Sequence, residues 1–109
     1  MHYKTARLLI CTFPYTWIDS LDRGDPGEYI VKCAMGYTFR FYPLLNWIYI
    51  YEKGKLTCRL CDSVHFDYIV SFMRRVYLAI HEGAKCSDWT KECFIRELND
   101  MKPYRTVKV

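Results

Sequence analysis

The chain has 109 residues, 51% hydrophobic, 26% charged and 17% aromatic, with a net charge of +4. Folding a chain of this mass removes close to two thirds of roughly 19,000 Å² from water, enough for one core and a single domain over residues 1–109. The aromatic content excludes a disordered segment. Uncharged stretches reach at most eleven residues, as from Phe41 to Tyr51, and fall short of the about 20 needed to span a membrane.

In chain order, the β-favouring residues from Tyr3 to Phe13 predict an opening strand ended by Pro14. Its apolar run, Leu8-Leu9-Ile10-Cys11, is too short for a signal h-region, so the expectation is a cytoplasmic protein. Of the six cysteines, Cys11 and Cys33 lie in apolar runs and Cys58 alternates with Leu56 and Leu60, positions where a reduced thiol acts as a small hydrophobe. Thr16-Trp17-Ile18-Asp19 reads as the start of a short helix that Gly24 would stop, and Asp25-Pro26-Gly27 as a turn.

From Glu28 to Cys61 the pattern has period two through four runs: Tyr29–Ala34, Tyr37–Tyr42, Trp47–Glu52 and Lys55–Leu60. Met35-Gly36, Pro43 and Lys53-Gly54 separate them, the last a two-residue hairpin loop with glycine where a positive φ is wanted. That loop predicts pairing of Glu52 with Lys55, Tyr51 with Leu56, Ile50 with Thr57, Tyr49 with Cys58, Ile48 with Arg59 and Trp47 with Leu60. The face expected to point inward carries Trp47, Tyr49, Tyr51, Leu56, Cys58 and Leu60, together with Tyr37, Phe39, Phe41, Tyr29, Val31 and Cys33. Ile48, Ile50, Ile30, Lys32, Thr38, Arg40, Tyr42 and Arg59 are then expected outside.

After Asp62-Ser63, an N-cap pair, a stripe of His65, Ile69, Phe72, Met73, Val76 and Ile80 predicts a long helix that ends at Gly83. Ser87-Asp88 caps a second helix whose apolar side is Trp89, Cys93, Phe94, Leu98 and Met101, stopped by Pro103. Residues 104–109 read equally as an edge strand or a basic tail containing Arg105 and Lys108. The fold class expected is α+β: an antiparallel meander of four to five strands with two C-terminal helices packed on one face.

The chemical motifs are sparse. Cys58-Arg-Leu-Cys61 has zinc-ligand spacing and His65, His81 or Cys86 to complete a set, but its first cysteine falls mid-strand and no second pair follows. Cys61 with His65 lacks a nameable oxyanion hole. Arg23-Gly24-Asp25 lies in a turn that already needs glycine, and Asp19, Asp22 and Asp25 are not spaced as a calcium loop. Met35–Tyr42 resembles in part the aromatic strand of RNA-recognition motifs, from which Met35 and Thr38 depart, as does the missing helix between the first two strands.

No catalytic residue, metal or cofactor is therefore expected. The function expected is a non-enzymatic protein-binding module, of the type of small inhibitor that phages and viruses direct at host machinery such as defence nucleases. Its partner surface would be Ile30, Lys32, Arg40, Tyr42, Ile48, Ile50 and Arg59, apolar groups rimmed with cations. Alternatives are a nucleic-acid-binding module using Lys32, Arg40 and Arg59 with Tyr42 as a stacking ring, a small structural zinc domain, and a homodimer through the same face.

Overall fold

The computed structural model describes residues 1–61, 66–82, 89–101 and 104–105. The expected caps at Asp62-Ser63 and Ser87-Asp88, the stop residues Gly83 and Pro103, and His65, Cys86, Lys102 and Lys108 lie outside these residues.

The chain opens with a helix rather than a strand: α1 is Tyr3–Thr12. Ala6, Leu9, Ile10 and Phe13 recur at helical spacing, and Ala6, Ile10 and Phe13 are buried. His2 Nδ1 accepts from the Lys4 N–H at 3.2 Å as N-cap, and Pro14 ends the helix. The expected short helix is in turn a strand. After a 3-10 turn over Tyr15–Trp17, β1 is Ile18–Arg23, which buries Ile18, Ser20 and Leu21. Gly24 stops a strand, and the turn that follows is the one expected. Glu28 N–H donates to Asp25 O at 2.8 Å, with Pro26 fixing φ and Gly27 at φ +82°.

Strands β2 (Tyr29–Cys33), β3 (Tyr37–Tyr42), β4 (Trp47–Glu52) and β5 (Lys55–Cys61) follow. With β1 they form an antiparallel meander, and a two-residue strand β6, Tyr104–Arg105, pairs outside β1, giving the order β5-β4-β3-β2-β1-β6. The β4–β5 hairpin begins as expected, Glu52 with Lys55 and Tyr51 with Leu56. Thr57 is then an extra residue, so Ile50 pairs with Cys58, Ile48 with Leu60 and Trp47 with Cys61. This bulge is closed by Thr57 Oγ1 donating to Ile50 O at 3.2 Å.

Helices α2 (Phe66–Ile80) and α3 (Lys91–Asp100) complete the described elements. Of the predicted α2 stripe, Ile69, Phe72, Met73 and Val76 are buried and Ile80 is half-buried, while Ala79, which the stripe did not include, is buried as well. On α3 Phe94 and Leu98 are buried while Cys93 is exposed, and the cap is Thr90, whose Oγ1 accepts from the Cys93 N–H at 3.1 Å. At the other end of α3, Arg23 Nη2 donates to the carbonyls of Leu98 (2.9 Å) and Met101 (3.2 Å), a cation placed where the helix dipole is negative. The Arg23-Gly24-Asp25 triplet is thereby part of the scaffold.

Residues of all three helices join one face of the sheet in a single cluster. Phe72 is its hub, edge-on to Phe39 (5.3 Å) and Phe41 (5.1 Å) and tilted against Phe13 (6.0 Å). The inward residues of β2 and β3 are those expected, with Tyr37 at the margin. Those of β4 are reversed. Register places Ile50 opposite Phe39 and Ile48 opposite Phe41, and both isoleucines are at most 1% exposed, while Trp47, Tyr49 and Tyr51 turn the other way. The cause is polarity. Isoleucine has nothing to offer water, whereas the tyrosine hydroxyl and indole N–H tolerate a half-exposed position. Leu56, also expected inside, is exposed because the bulge follows it.

Candidate functional site

The cross-strand pairs lay out the second sheet face in three rows. Ser20, Lys32, Thr38, Tyr51 and Leu56 form the first; Asp22, Ile30, Arg40, Tyr49 and Arg59 the second; Tyr42, Trp47 and Cys61 the third. Lys32, Trp47 and Arg59 are exposed, and Ile30, Arg40, Tyr42, Tyr49 and Tyr51 are half-buried. Of the expected partner surface, Ile30, Lys32, Arg40, Tyr42 and Arg59 are thus brought together on this face. Ile48 and Ile50 are not: they lie beneath the helices, and their place is taken by Trp47, Tyr49 and Tyr51.

The rings touch one another. Tyr42 meets Trp47 at 6.2 Å and Tyr49 at 5.6 Å between centroids, and Trp47 and Tyr49 are nearly parallel at 6.3 Å. The guanidinium of Arg59 lies 5.8 Å from the Tyr49 ring centre and that of Arg40 lies 5.5 Å from Tyr51, both within cation–π range.

One end of the face is held by a buried carboxylate. Glu28 is 3% exposed; it accepts hydrogen bonds from the Tyr42 hydroxyl and from Arg40 Nη1 at 3.3 Å, and Asp25 N–H lies at 3.4 Å. The hydrogen bond to Glu28, reinforced by burial, pushes the Tyr42 phenol up to about 12. Gly24 makes the room, since a Cβ built there would lie 1.8 Å from Glu28 Oε1. A buried charge survives only when paired and hydrogen-bonded, and here the pairing fixes two side chains of the open face.

Beside Tyr42 and Trp47 lies an apolar feature outside the expected partner surface. The β3–β4 turn, residues 43–46, exposes Leu44 by 74% and Leu45 by 52%. The turn is built rigidly. Pro43 is buried, Leu45 N–H donates to Tyr42 O at 3.0 Å, Asn46 adopts φ +55°, and Lys91 Nζ donates to Asn46 Oδ1 at 2.6 Å, tying the turn to the start of α3. Leaving a leucine in water forgoes roughly 1.5–3 kcal/mol of burial. The signal in the sequence was there: a Pro-Leu-Leu-Asn turn puts leucines where turn chemistry favours polar residues.

The cysteines do not assemble a site. Cys58 pairs with Ile50 on the inner face and Cys61 with Trp47 on the outer, so a CxxC within one strand sends its thiols to opposite sides. Among the described residues no three His, Cys, Asp or Glu side chains converge as a metal set. Burial, with Asp19 nearby, pushes the Cys33 thiol up to about 12, so it stays protonated as a core hydrophobe. His81, offered above as a zinc ligand, hydrogen-bonds Glu97 of α3. Shallow depressions of about 430 and 420 Å³ lie beside the β4–β5 hairpin (Met35, Tyr37, Glu52, Lys53, Lys55, Thr57) and along α1 (Lys4, Arg7, Leu8, Cys11, Tyr68). Neither lining pairs a nucleophile with a histidine base.

Comparison with protein-family models, with curated proteins and with solved structures gives no match to this chain. No helix among the described residues is long and apolar enough to cross a membrane.

Proposed function

We propose that this chain is a non-enzymatic protein-binding module, acting as a stoichiometric inhibitor or adaptor, that docks through the open sheet face. The observation that carries the reading is the combination on one surface of Tyr42, Trp47 and Tyr49 with Arg40 and Arg59 and a pair of exposed leucines. Trp, Tyr and Arg are the residues in which interface binding energy concentrates, around an apolar centre with a polar rim. The leucines favour a protein over a single-stranded nucleic acid, which is gripped by aromatic stacking and by cations that follow its backbone. So do the guanidinium groups, which lie over the protein's own rings rather than forming a track for phosphates. The five described cysteines are free thiols, in keeping with a reducing cytoplasm.

The test compares immobilised wild type with a Tyr49→Ala/Arg59→Ala variant in nuclease-treated extract of the source cells, beside titration with a labelled 20-nucleotide oligo-dT. The expected result is a protein retained by the wild type and lost from the folded variant, with no oligonucleotide binding at 150 mM salt. Oligonucleotide binding that falls steeply with ionic strength would replace this reading with the nucleic-acid one.

A further inference from the structure

We infer that the groove along α1 beside Tyr68 of α2 is a second binding site, for a small organic phosphate whose head is held by Lys4 and Arg7 and whose apolar body lies on Leu8. The site goes beyond the reading above and does not depend on it, because the helices pack on the inner face of the sheet, across from the open one. The depression there, of about 420 Å³, is lined by Lys4, Arg7, Leu8, Cys11 and Tyr68, a volume within the range of small-molecule sites. Lys4, Arg7, Leu8 and Cys11 share one side of α1 because they are spaced by three and four.

Charge specifies the head group. All 12 acidic residues of the chain follow Ile18, and the first turn of α1 holds none. Lys4 lies near the positive end of the helix dipole, and Lys4 and Arg7 repel each other at i,i+3, two costs that no carboxylate of α1 offsets. Local rules broken without a structural return mark a functional position. Neither cation forms an ion pair with a described residue. The Arg7 guanidinium instead lies over the rings of Tyr68, at 4.2 Å, and Tyr3, at 5.3 Å. Stacking uses the face of a guanidinium and leaves its in-plane N–H fork, the geometry that takes two oxygens of a phosphate. Two cations match the roughly 1.5–2 negative charges of a phosphomonoester better than the single charge of a carboxylate. Leu8, 63% exposed, supplies with Cys11 and the Tyr68 ring an apolar bed for the rest of the ligand. The one carboxylate of α2, Asp67, precedes Tyr68 in the chain and is therefore included in the test.

The experiment titrates the isotope-labelled full chain with phenyl phosphate, inorganic phosphate and phenol, following amide shifts by NMR. The expected result is saturable shifts confined to α1 and the Tyr68 region, with a Kd for phenyl phosphate of about 1 mM or below, as a fragment of this size allows. Inorganic phosphate and phenol, each carrying one part of the ligand, should bind at least about tenfold more weakly. Arg7→Gln and Lys4→Gln should each weaken phenyl phosphate about tenfold, Leu8→Ser should weaken it without changing inorganic phosphate, and Asp67→Asn should leave it equal or tighter. Affinity should fall as pH drops below about 6, where the head loses its second charge. Circular dichroism checks the folding of each variant, and Lys4, which is exposed, keeps the test open if Arg7→Gln does not fold. No saturation by about 10 mM, shifts scattered over other basic residues or centred on the open sheet face, or binding indifferent to both cation substitutions overturns the site. Inorganic phosphate as tight as phenyl phosphate means an adventitious ion only and overturns the organic ligand. A loss on Asp67→Asn overturns recognition by the two cations.

Discussion

Both faces of the central sheet carry large apolar side chains, yet one is a core and the other a surface. On the inner face Phe39, Phe41, Ile48 and Ile50 close around Phe72. On the outer face Tyr42, Trp47, Tyr49 and Tyr51 keep a polar atom toward water and gather arginines. Hydrophobicity alone does not separate these sets. The presence of a hydrogen-bonding tip on the ring does.

Adjacent residues of one strand give the largest test of that contrast. Ile50→Ser removes a side chain that is 0% exposed and should cost about 3–5 kcal/mol, the range for emptying a core position. Tyr49→Ser, one residue away on the open face, should cost under about 1 kcal/mol; urea denaturation of the two variants measures both. Equal losses would mean that the outer rings are as much a part of the core as the isoleucines.

A smaller effect belongs to the boundary between the faces. Gly24→Ala forces the Glu28 carboxylate out of its seat, and we expect about 1–3 kcal/mol of destabilisation from the strain. Glu28→Gln in the Gly24→Ala background should then add less than it does alone, because the two substitutions disturb one contact.

The gentlest probe is alkaline pH. Tyr42 has its folded value raised to about 12 against an ordinary value of 10.0. The stabilisation tied to that shift is complete below pH 10 and is lost as pH rises through 12. In a phenolate absorbance titration, Tyr42→Phe should delete a step near 12, and Glu28→Gln should move that step back toward 10.

Much of the sheet was legible in the sequence because its punctuation is strong. Lys53-Gly54, Pro43 and Asp25-Pro26-Gly27 delimit β2 to β5 almost to the residue, and the α2 stripe follows helical spacing without ambiguity. The N-terminal third was not. Leu8-Leu9-Ile10-Cys11 suits either secondary structure, and the helical choice rests on long-range burial of Ala6 and Ile10. Ile18–Arg23 becomes a strand because β2 lies beside it, with a register shift between Ile18 and Ser20. At the candidate site, Lys32, Arg40, Tyr42 and Arg59 were placed on the correct face by parity alone. Parity was misapplied to β4, where every position is apolar until Glu52, and it carries no information on a bulge such as Thr57. The leucine turn is hard to read because Pro43 and Asn46 mark residues 43–46 as a break between strands, and period two says nothing of where Leu44 and Leu45 point.

That bulge has a consequence for behaviour at high concentration. Strand β5 ends the sheet, and an uninterrupted border strand invites neighbours to add on and grow fibres. Here the extra residue breaks the ladder, the Met1 ammonium donates to the Thr57 carbonyl at 3.3 Å, and Lys55 and Arg59 place like charges along the rim of any copy that approached. The geometry that spoils the hairpin's simple pairing also makes β5 a poor template for a further strand.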